Sequence, residues 1–380
     1  MPDVLISVDT VPEASTLVNA IPDWLLCAWT LAKSLGAADL HAVSNELLRL
    51  RLQGELRCID SLPPCPPAPW PEVLDLFTTS ERTLTTAETS LTHPLLGRAR
   101  ASLAAHQGGL MLVMRLIAEH IPTLIDVQLS RRHADLVLTD HGLLLVTGAT
   151  GSGKSSTLAA WLGHWREQRR GHVISLEDPI EFVHGNSPAL GLVNQREIGR
   201  DCPSFADGLR AALRQDPDVL VVGELRDSDS ARLALMAAET GHLVMATMHT
   251  ASAIGAIDRL LSLFPADERS LAQAQLADTL RAIMAQQLIW PAASAGSSST
   301  PCAQACREVL IATPAVRHLI REHRLGDIEH IMQTQAALGM QTMAQAMAAL
   351  SISAHYCETP SAANTVLSTC CTGDKAGSIS

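Results

Sequence analysis

Gly148-Ala149-Thr150-Gly151-Ser152-Gly153-Lys154-Ser155 follows an apolar run, Leu143-Leu144-Leu145-Val146, and precedes a helical stretch from Ser155 to about Arg166. The spacing G-x-x-x-x-G-K-[ST] between a buried strand and a helix is that of a phosphate-binding loop. The residue types follow from what a polyphosphate requires. Glycines let the backbone curl until successive N–H groups point at one anion, and the helix N-terminus adds partial positive charge. Lys154, one of three lysines in an arginine-rich chain, would neutralise the outer phosphates, and the Ser155 hydroxyl would complete a Mg²⁺ shell. Gly148, Ala149, Thr150, Gly151, Ser152, Gly153, Lys154, Ser155 and Ser156 are therefore expected to cradle a nucleoside triphosphate.

Outward from the loop, strands are expected at 143–147, 173–176, 219–222 and 243–247. They alternate with helices at 155–167, 204–214, 228–239 and 252–263. Such alternation predicts an α/β fold with a mostly parallel sheet covered by helices on both faces. Residues 1–130 read as mixed α and β. A helix is expected over Leu25–Leu35 and a half-buried strand within Glu46–Cys58, where Leu48-Arg49-Leu50-Arg51-Leu52 alternates. Pro63-Pro64-Cys65-Pro66-Pro67-Ala68-Pro69 predicts a loop. Residues 292–300 read as a flexible surface loop and the tail beyond about Ser361 as disordered.

Composition bounds the rest. A chain of 380 residues suggests two domains. With 47% hydrophobic but only 3% aromatic residues, its cores must be built mostly of Leu, Ala, Val, Ile and Met. A formal net charge of -11 argues against broad nucleic-acid binding through charge alone. The nine cysteines are irregularly spaced and read as free thiols, with Cys302 and Cys306 at most half a metal site. No targeting segment is visible, and the apolar stretch Trp24–Ala32 is too short to span a bilayer.

Strands of a parallel sheet deliver functional groups at their C-terminal ends. Glu177, Asp178, Pro179 and Glu181 follow one strand, Gly223 and Glu224 another, and Met248 and His249 a third that begins near His242. Carboxylates beside a triphosphate hold Mg²⁺ and orient or deprotonate a water. Glu224 is expected to serve the water, because its strand is expected next to the phosphate-loop strand. Arg210 and Arg214 are expected one turn apart on a helix, as an ion-paired face or as charge supplied to a neighbouring subunit. Thr313 and Pro314 predict a helix start, with Val316, Leu319 and Ile320 on one face and Arg317 and Arg321 on another.

Together these segments resemble the secretion-type ATPases of type II secretion and type IV pili, most of all their twitching-motility retraction branch. The likeness runs from about Ala37 to Leu350. It rests on the phosphate loop, the acidic box Ser175-Leu176-Glu177-Asp178-Pro179-Ile180-Glu181-Phe182, and the segments Asn194–Ile198 and Ala211–Asp218. It rests also on Leu220-Val221-Val222-Gly223-Glu224-Leu225-Arg226-Asp227 and on the histidine box from Thr240 to Thr250. The four-cysteine module of the secretion and extension branches is missing from Ala292–Ala305, and Ala315–Glu322 resembles a C-terminal motif of the retraction branch. In the N-terminal part, Ala38–His41 and Gly97–Arg100 are recognisable, while Gln107 stands where an arginine is expected.

The resemblance implies an extension at 1–36 and a PAS-like domain at 37–130. A RecA-like P-loop core at 131–290, a helical section at 291–360 and a tail at 361–380 complete the expected organisation. It implies a hexameric ATPase ring using ATP and Mg²⁺ on the cytoplasmic face of the inner membrane. The expected partner is an inner-membrane platform protein of a pilus machine, and no nucleic acid is expected. It implies Glu224 as catalytic base, Glu177 and Ser155 with Glu224 around the metal, His242 and His249 near the nucleotide, and Arg210 and Arg214 completing the site at a subunit boundary. Two readings stay open: a hydrolysing retraction motor, or an accessory ring subunit that binds nucleotide with little or no hydrolysis. A type II secretion ATPase is the alternative within the enzyme class.

Overall fold

The structure is a computed structural model that describes residues 21–52, 55–77, 86–117, 120–187, 189–289 and 303–356. The expected loop at 292–300, the tail beyond 361 and Cys302 lie outside the described residues.

Along the chain run helix α1 (Asp23–Ser34), strands β1 (Asp39–Val43), β2 (Arg49–Leu52) and β3 (Glu55–Cys58), helix α2 (Pro71–Leu76), and strands β4 (Thr86–His93), β5 (Gly97–His106) and β6 (Gly109–Leu116). Strand β7 (Gly142–Thr147), helix α3 (Lys154–Gln168), strands β8 (His172–Glu177) and β9 (Leu192–Glu197), helix α4 (Phe205–Ala212) and strand β10 (Val219–Val222) follow. Then come α5 (Ser228–Glu239), β11 (Leu243–Met248), α6 (Ala253–Ser262), α7 (Arg269–Thr279), β12 (Leu280–Ile289) and β13 (Gln304–Ile311). Helices α8 (Pro314–Arg321), α9 (Ile328–Thr334) and α10 (Met343–Tyr356) close the described chain.

The chain divides into two compact units, residues 1–126 with 155–223 and residues 127–154 with 224–380. The first holds an antiparallel sheet in the order β3-β2-β1-β6-β5-β4. Leu25 and Trp29 of α1 join Leu40, Leu50, Leu103, Leu112 and Met114 in a core of its own. The alternation at Leu48–Leu52 becomes β2, which pairs with β3. The proline-rich stretch carries neither helix nor strand, as its fixed φ angles and missing N–H groups require. The same unit holds β10, β8 and β9, paired in parallel in that order. In it, the Arg98 guanidinium of β5 pairs with the Glu197 carboxylate of β9 at 3.1 Å, both largely buried.

The second unit holds strands in the order β13-β12-β7-β11. Strands β7 and β11 are buried at every position, which is why they read as continuous apolar runs. Strand β13 pairs antiparallel with β12, so the expected helical section at 291–360 opens with a strand and turns helical only at Pro314. Helix α8 begins as its sequence requires. The Thr313 hydroxyl accepts from the Val316 N–H, Pro314 takes the first position, and Val316, Leu319 and Ile320 are buried. Arg317 donates to the Ala312 carbonyl at 2.9 Å and Arg321 pairs with Asp278. Among the described residues, Cys27, Cys58, Cys65, Cys202 and Cys306 are free thiols. No described helix is long and apolar enough to cross a membrane.

Candidate phosphate site

The loop after β7 turns on three glycines, with φ of 149° at Gly148, 78° at Gly151 and 85° at Gly153. A Cβ on Gly148 would stand 2.2 Å from the Gln286 carbonyl oxygen, and one on Gly153 would stand 2.8 Å from the Gln286 side-chain nitrogen. The backbone therefore lies flush on β12. Buried in this loop, the Ser152 hydroxyl has no hydrogen-bond partner among the described residues. A buried polar atom left unmatched fits a loop whose partner is an anion's oxygens. Lys154 is buried, and its ammonium donates to the carbonyls of Gly148 at 2.9 Å and Ala149 at 3.0 Å.

Strand β11 lies beside β7 with Met248 opposite Thr147, which brings the residues after Met248 to the loop. The Thr147 hydroxyl accepts from the Thr250 N–H at 2.8 Å and lies 2.8 Å from the Thr250 carbonyl, so His249 is pinned between two anchored residues. His249 Nδ1 stands 3.5 Å from the Lys154 ammonium and Nε2 stands 3.2 Å from Glu224 Oε2. One tautomer satisfies both contacts: a lone pair on Nδ1 faces the ammonium and a proton on Nε2 is donated to the carboxylate. Glu224 Oε2 also accepts from Arg226 Nε at 2.7 Å. Lys154, His249 and Glu224 thus form a line from the loop to a carboxylate.

Glu177 belongs to the other unit, at the end of β8. Its Oε1 accepts from the Ser175 hydroxyl at 2.6 Å and from Gln195 Nε2 at 2.9 Å. Burial pushes this carboxyl above the usual range, while the bonds from Ser175 and Gln195 pull the other way. Gln195 also donates to the Phe182 carbonyl at 2.8 Å and accepts from the His184 N–H at 2.7 Å. His184 is buried, and desolvation, with the Arg166 charge second, lowers its pKa to about 4. Arg166 is itself buried and donates to the Gly185 carbonyl at 2.7 Å, which fixes the segment after the acidic box.

Three expectations need correction. The neighbours of β7 are β11 and β12, so the strand that ends at Glu224 is not next to the phosphate-loop strand. Glu224 reaches Lys154 through His249 instead. The structure does not bring His242 to this cluster. It precedes β11 at the end opposite His249, a strand's length or roughly 20 Å away. There its Nδ1 lies 3.1 Å from the Ala237 carbonyl, at the C-terminal end of α5. Arg210 is exposed on α4 and paired with Asp207 at 2.9 Å, but Arg214 lies past the helix. Asp216 at φ 52° followed directly by Pro217 ends the helical path there.

Sequence reasoning missed the braces. Gln286 is buried on β12, where its Nε2 donates to the Ser152 carbonyl at 2.6 Å and its Oε1 accepts from Arg307 Nε at 2.9 Å. The available signal was a Gln and an Arg at positions that fall opposite one another inside largely apolar strands. Burial lowers the Arg307 pKa to about 10. No described cluster of three or more His, Cys, Asp or Glu side chains is arranged to hold a metal ion.

A family profile described as "Type II/IV secretion system protein" matches residues 100–362. The chain is 46% identical over 248 residues to the uncharacterized protein YggR of Escherichia coli strain K12, covering 65% of this chain and 73% of that protein. It is 38% identical over 313 residues to the "Type IV pilus retractation ATPase PilT" of Pseudomonas aeruginosa, covering 81% of this chain and 88% of that one. A crystal structure of the pilus retraction motor PilT with bound ADP superposes with a TM-score of 0.77 at 33% identity, over 88% of this chain and 94% of that one. With its α/β fold, its glycine-turned loop and these likenesses, the chain belongs to the type II/IV secretion system protein family.

Proposed function

We propose that this chain is a Mg²⁺-dependent ATPase that drives type IV pilus retraction as a hexameric ring. In this reading it has a RecA-like core and a PAS-like N-terminal domain. The observation that carries the proposal is the line Lys154–His249–Glu224 beginning at the phosphate loop. Lys154 neutralises the outer phosphates, and the N–H groups of Gly148–Ser156 hold the rest of the chain of phosphates. Glu224 is the base that orients and deprotonates water, and His249, in contact with both, reports whether the loop is filled. The Ser155 hydroxyl, Glu177 and Glu224 would be the residues to hold Mg²⁺, which would neutralise charge building on the phosphate oxygens. Arg210 and Arg214, both exposed, supply charge across a subunit boundary. An inner-membrane platform protein receives the movement, and the ring works at the cytoplasmic face of that membrane. A net charge of -11 argues against broad nucleic-acid binding through charge alone.

Phosphate release from the purified protein tests this. The wild type should hydrolyse ATP. Glu224→Gln should bind it but turn over about 10²-fold or more slower. Normal turnover by that variant would remove Glu224 as the base. A non-hydrolysing accessory ring subunit is the second reading. It is favoured by the Arg226 guanidinium, which bonds Glu224 Oε2 and would compete with a water for that oxygen. Phosphate release no faster than background from the wild type would establish it. Restored twitching in cells lacking their retraction ATPase would sustain the motor reading.

A further inference from the structure

We infer that Gln286 is a positioning residue for the phosphate loop and that Arg307 couples it to the segment Val127–Gln128. This rests on the reading that residues 148–156 hold nucleotide phosphates.

The amide of Gln286 has one workable orientation. The Ser152 carbonyl only accepts, so it must face Nε2; the Arg307 guanidinium only donates, so it must face Oε1. Across a trans peptide the C=O and the next N–H point to opposite sides. Drawing the Ser152 carbonyl onto Gln286 therefore aims the Gly153 N–H away from β12, in a residue held at φ 85°. The same Gln286 lies against Gly148 through its backbone carbonyl, so it supports both ends of the loop. One neutral side chain thus sets the direction of a phosphate-facing N–H.

Arg307 extends the chain of bonds. It stands directly opposite Gln286 in the β12–β13 register and is only 5% exposed. Beyond Gln286 it donates to the carbonyls of Gln128, at 2.8 Å, and Val127. The Gln128 side chain answers by donating to the Ala303 carbonyl at 3.0 Å and accepting from the Ala305 N–H at 2.9 Å. Gln128 itself sits at φ 52°, a conformation a non-glycine residue keeps only when its surroundings hold it. A shift of residues 127–128 therefore moves Arg307, then Gln286, then the Ser152 peptide. By reciprocity, filling the loop must tighten the 127–128 segment. A purely structural pair would pin strand register and leave nucleotide affinity alone.

The test uses the full chain and a fluorescent ADP analogue. Gln286→Met removes both bonds without charge; Gln286→Glu still faces Arg307 but offers no donor to Ser152. Both should bind the analogue roughly five- to a hundredfold more weakly. Gln286→Glu should do so while keeping the far-ultraviolet circular dichroism spectrum of the wild type. The analogue should also slow hydrogen exchange at the Ala305 amide in the wild type and not in Gln286→Met. Wild-type affinity in both variants, with Lys154→Ala losing binding, would reduce Gln286 to scaffold. Equal slowing at Ala305 in Gln286→Met would overturn the coupling to residues 127–128. Undiminished binding by Lys154→Ala would instead remove the nucleotide reading on which the inference stands.

Discussion

Glu308→Gln should destabilise the second unit by about 2–5 kcal/mol, because one carboxylate holds the starts of two helices. Glu308 lies on β13 and is only 9% exposed. Its Oε1 accepts from the Ala253 N–H at 2.6 Å and its Oε2 from the Met343 N–H at 3.2 Å. Ala253 is the first residue of α6 and Met343 the first of α10, so both donors belong to the unpaired set at a helix N-terminus. The amide keeps the size but has a single acceptor oxygen, and its NH₂ must then face one of the two N–H groups. The lost charge-assisted bond accounts for about 1.5–3 kcal/mol, and the lost charge at two helix ends for about 0.3–1 kcal/mol each. For a unit of this size that is a fall in Tm of roughly 4–20 °C. Thermal melts followed by far-ultraviolet circular dichroism measure it. Hydrogen exchange should quicken more at Met343, the longer bond, than at Ala253. A Tm within about 1 °C of wild type, with unchanged exchange at both amides, would refute the shared-cap reasoning.

Two further outcomes follow from local geometry. With its folded pKa near 4 against 6.5, His184 binds a proton later in the folded chain than in the unfolded one. Its contribution is whole above pH 6.5 and is lost as pH falls toward 4, up to about 3 kcal/mol. Urea unfolding at several pH values should show that slope in the wild type and a shallower one in His184→Asn; equal slopes would reject it. At the loop, Gly151→Ala meets nothing within 4 Å and should cost only about 1–2 kcal/mol for its φ of 78°. Gly148→Ala drives a Cβ to 2.2 Å from the Gln286 carbonyl and should lose nucleotide binding and melt lower than Gly151→Ala, whereas matching melts would contradict the cradle.

The local parts of this fold were legible because their causes are local. The phosphate loop, the apolar runs of β7, β8, β10 and β11, and the cap at Thr313 each declare themselves within a few residues. What stayed hidden depends on pairing between distant segments. Strand β12 breaks the apolar pattern with Gln286 and Gln287, and β13 carries Arg307 and Glu308, so both lack the continuous run that marked the other strands. Three of them, Gln286, Arg307 and Glu308, carry buried bonds that tie distant segments of the second unit together. Nothing near Glu224 says that β11 and β12, rather than its own strand, flank β7. For His242 the sequence already showed a strand between the two ends of the histidine box, and it was the resemblance that set both histidines near the nucleotide.

Gly223 joins the two acidic positions into one argument. In many phosphate-loop enzymes an aspartate ends the strand that here ends at Val222. A Cβ at Gly223 would lie 3.2 Å from the Leu176 carbonyl oxygen and 3.3 Å from the Glu177 Cα, and the Gly223 N–H already donates to that carbonyl at 2.7 Å. Contacts that short are tolerated only if the end of β8 gives way, and an aspartate would also bring its charge beside Glu177. The glycine and the acidic box are therefore linked. On the proposed reading β8 supplies the carboxylate that β10 lacks, and a side chain at residue 223 would have to push the backbone of Leu176 and Glu177 aside by a few tenths of an ångström. On the proposed mechanism, the metal-side acid moves to Glu177 while Glu224, one residue past the glycine, keeps the water. Placing an aspartate at residue 223 should then lower activity rather than raise it, because the added group disturbs the Ser175–Glu177–Gln195 bonds without gaining a free place of its own.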